Sequence, residues 1–324
     1  MSQAQAKDTT AETDDNQKFR LITRSDMDGL VCGVLLKEQG LIDDVTFAHP
    51  KDMQDGLVDV GPDDITTNLP YAEGVHLAFD HHDSELERLG KAPDNYIVDP
   101  QAPSAARVVY NYYGGAEAFP SISQEMMDAV DKADSASFTR EEILNPTGWV
   151  LLSFIMDART GLGRFRDFNI SNYQLMMHLI DHCREHQDIN EILELPDVKE
   201  RVELYHQHQD RAKEQLQRCA GIHDNLVVLD LRNEDTIWAT NRFMIYALFP
   251  DCNISMHIMW GKNKQNTVFA VGKSILNQTS RTDVGSLMLE YGGGGHEAAG
   301  TCQVDNLRAN DVRDELITRI ISDG

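Results

Sequence analysis

Phe19-Arg20-Leu21-Ile22-Thr23-Arg24-Ser25-Asp26-Met27-Asp28-Gly29-Leu30-Val31-Cys32-Gly33-Val34-Leu35-Leu36 is the stretch that decides the fold class. Phe19–Thr23 reads as a short apolar strand, and it ends in a polar turn that carries two carboxylates. From Leu30 to about Glu38 the apolar residues recur with helical spacing, and Val45–His49 reads as the next strand. Val75-His76-Leu77-Ala78-Phe79 is another strand, running straight into Asp80-His81-His82. Helical patterns follow at Ser104–Tyr113, Ser123–Ala133, Gly148–Ala158 and Tyr173–His186. Strands alternating with helices predict an α/β fold, with a mostly parallel sheet flanked by helices on both faces. In such sheets functional groups gather in the crevice at the carboxyl ends of the strands. Both acidic clusters sit at strand ends of that kind.

From Pro196 to about Arg218 the chain is charged, rich in glutamine and free of glycine, with proline suited to a helix start. It reads as a long connecting helix. Beyond Gly221 the pattern restarts, with strands at Leu226–Asp230, Ile254–Trp260 and Thr267–Gly272 and helices near Asn241–Leu248 and Asp283–Tyr291. A glycine run and a terminal helix at about Ala309–Ile321 complete a smaller α/β domain. The expected organisation is a disordered tail over 1–17, a catalytic domain over 18–195, a connecting helix over 196–220 and a substrate-binding domain over 221–324. The tail is polar and has no apolar segment of the secretory kind.

Composition narrows the function. The 324 residues carry 53 acidic against 29 basic side chains, a formal net charge of −24. That balance argues against a sequence-tolerant binder of long duplex DNA, whose affinity comes from Lys and Arg on phosphates. It leaves room for a small anionic substrate held by a few local cations and metals. The longest apolar run, Trp149–Met156, is far short of the ~20 residues that span a bilayer, so no membrane association is expected. Cys32, Cys183, Cys219, Cys252 and Cys302 are odd in number and scattered, with no zinc or redox spacing. They read as small core residues of a cytoplasmic protein.

Three motifs carry chemistry. Asp26 and Asp28, at i and i+2 in a strand-to-helix turn before Gly29, can converge on one hard divalent cation. Asp80-His81-His82 offers carboxylate oxygen with imidazole nitrogen, a set suited to manganese, iron or zinc better than to calcium. Gly292-Gly293-Gly294-Gly295-His296 orders four glycines in a row, which is entropically expensive. The arrangement suits a backbone that approaches a ligand closely and turns N–H groups toward an anion, with His296 as a donor at its mouth.

In this order and separation the three motifs resemble those of the DHH phosphoesterase superfamily with its C-terminal DHH-associated domain. The resemblance covers nearly the whole chain after the tail. The family includes nano-RNases, cyclic-dinucleotide phosphodiesterases, single-strand exonucleases and exopolyphosphatase-like relatives. It implies one or two manganese ions, with magnesium or cobalt as substitutes, in a cleft between the domains. Asp26, Asp28, Asp80 and Asp134 are then carboxylate ligands and His82 an imidazole ligand, with His81 assisting the chemistry beside Asp80. Asp134 matches the family's fourth metal motif, with Asp131 a nearby rival. Ser104 sits where the family has a small hydroxyl residue, and Arg281 matches the substrate-binding arginine loosely. Gly293, Gly294, Gly295 and His296 would grip the substrate's distal phosphate or base.

Two positions depart from the pattern. Many relatives carry a histidine where this chain has Arg24, which cannot ligate a cation and is always charged. The family's bridging aspartate falls at Asn68, an amide that coordinates without bringing charge. Arg24 therefore either weakens metal binding or clamps phosphate in its place. Other clusters read as structural. His178, His182 and His186 share one helix face and read as solvated. Arg159, Arg164 and Arg166 concentrate charge in Asp157–Arg166 and read as a cap, inter-helix ion pairs or a dimer contact, ahead of the alternative that they attract anionic substrate. Trp149, Trp238 and Trp260 read as core. The expected function is metal-dependent hydrolysis of phosphodiester bonds in dinucleotides or very short oligonucleotides. The alternatives are phosphoanhydride hydrolysis of the exopolyphosphatase kind and nucleotide binding without turnover. A homodimer stays open.

Overall fold

The structure, a computed structural model, describes residues 17–82, 86, 88–165 and 167–324. The tail read from the sequence lies outside them except for Gln17, as does Arg166. The chain forms two compact units: one runs to Asp131 and takes in Met176–Gln187, the other comprises Lys132–Leu175 and Asp188–Gly324.

The first unit is built on five strands, β1 (Phe19–Thr23), β2 (Ile42–Phe47), β3 (Asp64–Thr67), β4 (Leu77–Asp80) and β5 (Tyr96–Val98). They run parallel in the order β2-β1-β3-β4-β5. The chain passes from β1 outward to β2 and then returns to the other side of β1, so strand order reverses between β1 and β3. That is where open parallel sheets place their ligands. The first helix, Met27–Glu38, is buried at every residue from Met27 to Leu36. It is apolar all round because other elements cover it on every side. A Cβ on Gly33 would lie 2.8 Å from Ile180 of the helix Asn172–Glu185. Lys37 and Glu38 pair with Asp181 and Arg184 on that same helix.

β3 has no apolar run, yet all four of its residues are buried. Asp64 is accommodated because its register partner on β1, Arg20, donates to it at 2.7 and 2.9 Å. The amide of Gly61 adds a third donor at 2.7 Å. The buried hydroxyls of Thr23 and Thr67 bond each other at 2.7 Å. Unpaired, each of these groups would cost about 1–3 kcal/mol.

The second unit holds a six-stranded sheet in the order β10-β11-β9-β8-β7-β6. Its strands are β6 (Ala220–His223), β7 (Leu226–Asp230), β8 (Ile254–Trp260), β9 (Thr267–Lys273), β10 (Gly294–His296) and β11 (Ala299–Val304). Only β7 and β8 pair in parallel. Alternate residues of β7 serve two cores. Leu226 and Val228 pack with the helices Val284–Glu290 and Ala309–Asp323. Val227 and Leu229 pack with Phe138, Ile143, Phe154 and Leu216. This second core is why residues 132–175 group with the C-terminal sheet, although the sequence-based domains divide at 195/196. The long helix runs from Pro196 to Cys219.

None of the five cysteines is in a disulfide, and four are buried. No helix among the described residues is long and apolar enough to cross a membrane.

Candidate active site

Three neighbouring strands of the first unit end in the residues that carry chemistry. After β1 the chain turns through Arg24 and Ser25 to Asp26, which caps the first helix by accepting the amide of Gly29 at 3.1 Å. A carboxylate there offsets the positive end of the helix dipole. Gly29 is required because a Cβ would run into the carbonyl oxygen of Arg24. The tight turn brings Arg24 back onto Asp26, with Nε 3.1 Å from the carboxylate. Asp28 projects from the first turn of the helix and is only 1% exposed. Its oxygens accept the amides of Ala105 at 3.2 Å and Ala106 at 2.8 Å, so a second helix, Ala105–Tyr112, points its N-terminus at it.

Asp80 ends β4 and is likewise 1% exposed. One oxygen accepts the amide of His81 at 2.9 Å and faces Nδ1 of His82 at 2.7 Å. The other accepts the phenol of Tyr96, on neighbouring β5, at 2.8 Å. The His81 ring is turned by a contact of 3.2 Å between Nδ1 and the carbonyl of Ala102. Asp80, His81 and His82 each offer a ligand atom within 4.8 Å of the others, and Asp28 approaches His81 as closely.

Asn68 follows β3 with φ +53°, a left-handed conformation that asparagine tolerates better than most residues. It is 2% exposed, and both atoms of its amide are buried without a hydrogen-bond partner among the described residues. Buried polar groups are normally satisfied, so an amide of this kind suits a ligand supplied from outside the protein.

The other candidate residues sit on other elements. Ser104 is fully buried and caps the helix Ala105–Tyr112, accepting from Arg107 N and donating to Asp131 at 2.7 Å. Arg107 holds the other oxygen of Asp131 at 2.5 and 2.9 Å. Asp131, the rival for the fourth metal motif, is therefore committed to a structural ion pair. Asp134 ends the helix Gln124–Asp134 and belongs to the second unit.

Also in the second unit, the glycine run forms a hairpin, with Gly294–His296 of β10 pairing Thr301–Ala299 of β11. A Cβ on Gly293 or Gly295 would meet the carbonyl oxygens of Thr301 or Ala299. Close backbone packing thus explains two of the four glycines. The hairpin is exposed, and Nδ1 of His296 accepts the amide of Ala298 at 3.3 Å. Arg281 lies against Gly324. His178 and His186 are exposed on their helix, whereas His182 between them is half-buried with its Nε2 lacking a hydrogen-bond partner among the described residues, so the face is not wholly solvated.

Tyr96 and Arg107 did not stand out in the sequence. Each acts by a bond to a residue distant along the chain, Tyr96 to Asp80 and Arg107 to Asp131. The only local signal for Tyr96 is the aromatic and β-branched run Tyr96-Ile97-Val98.

The parallel sheet with this strand order, its Asp-x-Asp-Gly turn and its Asp-His-His strand end are those of a phosphoesterase, and the chain belongs to the DHH superfamily. It is similar to the pGpG-specific phosphodiesterase PggH from Vibrio cholerae, with 61% identity over 95% of this chain and 100% of that one and a TM-score of 0.83. CDC45 from Entamoeba histolytica shares the fold at 8% identity, over 94% of this chain and 95% of that one, with a TM-score of 0.51. RecJ from Thermus thermophilus, in complex with Mn2+, is a looser likeness at 12% identity over 94% of this chain and 52% of that one, with a TM-score of 0.49. No protein-family model and no curated protein sequence matches the chain.

The donor set fits a divalent cation. Two buried carboxylates, two imidazoles and an orphaned amide are oxygen and nitrogen ligands of the kind manganese and related ions prefer. Left without a cation, carboxylates this buried depend on the helix N-terminus at Asp28 and the phenol at Asp80 for compensation.

Proposed function

We propose that the protein is a cytoplasmic, manganese-dependent phosphodiesterase that cleaves linear dinucleotides, pGpG first among them, into mononucleotides. The observation that carries this reading is the convergence of Asp28 with Asp80, His81 and His82 in a chain 61% identical to a pGpG-specific phosphodiesterase. One or two ions would be held by Asp26, Asp28, Asp80, His82 and Asp134, with the Asn68 amide as a neutral ligand. When bound, such ions supply activation of water and neutralisation of phosphate charge. Residues 18–195 form the catalytic domain in this proposal, 196–220 the connecting helix and 221–324 the substrate-binding domain.

The chain's own residues have distinct tasks. Asp80 is fixed by Tyr96 and by the amide of His81. His81, oriented from the carbonyl of Ala102, is placed as a donor toward phosphate. Arg24 balances Asp26, and its fork matches a phosphate edge once Asp26 turns to a cation. Ser104 supports the floor through Asp131 and the helix cap. The glycine hairpin, His296 and Arg281 would hold the far phosphate or base. The charge of −24 disfavours long polyanions and favours short ones.

Product analysis of pGpG and other linear dinucleotides tests the proposal, with manganese titrated from chelated to saturating. Saturable release of mononucleotides, lost in Asp80→Ala, is expected. Orthophosphate release from polyphosphate with dinucleotides untouched would make the protein a phosphoanhydride hydrolase. Ligand-dependent stabilisation without turnover at any manganese level would make it a binding protein.

A further inference from the structure

Two irregular segments of the second unit, Asp157–Phe165 and Ile237–Arg242, are joined by a bond of 3.1 Å from Thr240 N to Thr160 O. Arg164 reaches across the same junction to the carbonyl of Ile237 at 3.3 Å. Its course is set by Gly161, at φ +85°, since a Cβ there would strike the Arg164 guanidinium. One residue on, the ring of Trp238 receives Arg211 at 4.9 Å from its centroid. Phe165 lies nearly parallel to that ring, at 8° and 6.3 Å, and His208 meets it edge-on at 5.0 Å. Trp238 is partly exposed rather than core. Burial, and then the Arg211 charge, hold His208 below the usual imidazole range.

Asp157 is shared by Arg159 at 2.7 Å and Arg242 at 3.5 Å. Arg164 and Arg211 make no ion pair among the described residues. In a protein of net charge −24, Arg164 and Arg211 thus stand at this junction on a carbonyl and a ring rather than on carboxylates. Arginines left without carboxylates beside an aromatic face match a molecule that carries both phosphate and a planar ring. A bare anion would have no use for the indole, and an apolar ligand would have none for the guanidinium groups.

We propose that this junction binds a nucleotide, with Arg164 and Arg211 taking its phosphate and the Trp238–Phe165 face taking its base. The site does not depend on the catalytic reading, because every group in it belongs to the second unit and none is a candidate metal ligand. Base stacking on an aromatic ring contributes about 1–3 kcal/mol per base in single-strand binders. Affinity here therefore needs both halves of the ligand.

The test is a fluorescence titration of the full chain with GMP in excess chelator, where metal-dependent turnover is absent. Saturable quenching is expected, lost in Trp238→Phe and weakened about tenfold in both Arg211→Gln and Arg164→Gln. Guanosine and inorganic phosphate, as separate probes, should bind at least about tenfold more weakly than GMP. Arg211 is exposed, so Arg211→Gln should keep the parent's unfolding midpoint and remains informative if Arg164→Gln folds poorly. Quenching that persists in Trp238→Phe, is indifferent to both arginine changes, or is matched by phosphate alone would overturn the proposal, as would its absence. Failure of the dinucleotide assay would leave this titration unchanged, so the two proposals fail separately.

Discussion

Replacing Asp28 by asparagine separates an anchor of the fold from a ligand that merely awaits metal. The carboxylate accepts two amides, of Ala105 at 3.2 Å and Ala106 at 2.8 Å, and is 1% exposed. Asparagine has the same shape, but its NH2 must face one of those amides. One charge-assisted bond becomes a neutral one, losing about 1 kcal/mol, and one buried N–H is orphaned at about 1–3 kcal/mol. Loss of the negative charge from the helix N-terminus adds about 0.3–1 kcal/mol. Relief of burying a charge returns part of this, leaving a net cost of about 3 kcal/mol. Native-state hydrogen exchange read by mass spectrometry should then show the first amides of Ala105–Tyr112 exchanging about a hundredfold faster in chelator. Saturating manganese should widen the difference, because only the parent gains a bound ion. Exchange that is unchanged or slower in Asp28→Asn under chelation would refute the anchoring argument. Asp28 would then be a destabilised residue kept for the metal alone.

Tyr96→Phe removes the phenol from Asp80 and should weaken manganese binding by roughly tenfold, read by calorimetry, while lowering stability by only about 1 kcal/mol. Asn68→Asp should destabilise the chelated protein by about 3 kcal/mol through an unpaired buried charge. Excess manganese should reverse that order in thermal melts, and a variant neutral in chelator would contradict the burial seen here. Gly29→Ala forces a methyl against the Arg24 carbonyl and should cost at least about 2 kcal/mol in denaturant unfolding; a variant as stable as the parent would rule out that close approach. Burial lowers the His257 imidazole to about 4 from its usual 6.5. The unfolded chain therefore takes up this proton first, and stability present above pH 6.5 is lost as pH falls toward 4, by at most about 3 kcal/mol. His257→Gln should flatten that part of the stability profile.

The apolar strands were legible from composition alone: β1, β7 and β8 begin and end where their runs do. β3 was not, because Asp64-Ile65-Thr66-Thr67 looks like a loop until Arg20 and Thr23 supply partners for its polar groups. β5, three residues long, and β10, two glycines and a histidine, carry too little side-chain pattern to be read. The first helix starts at Met27 rather than Leu30 because Asp26 is its cap. The sequence offered Asp134 for the fourth metal motif with Asp131 as a nearby rival. Arg107 and Ser104, which occupy Asp131, distinguish them, and that information lies in packing rather than spacing. Trp149 is core as its apolar context predicts, whereas Trp238 and Trp260 are half-buried, since that context says nothing about the arginines that come to lie on their rings.

The first unit is interrupted along the chain, and Met176–Gln187 joins it only after Lys132–Leu175. On the ribosome this becomes a matter of time. About 140 residues separate the end of the first helix from its cover, roughly 10–30 s of synthesis at typical rates. Through that interval the emerging protein has made its Asp-x-Asp-Gly turn, but the helix behind it lacks Ile180, Asp181 and Arg184. A nascent chain stalled before Ile180 would expose a helix that is apolar on every face, a natural target for chaperones and a natural seed for aggregation.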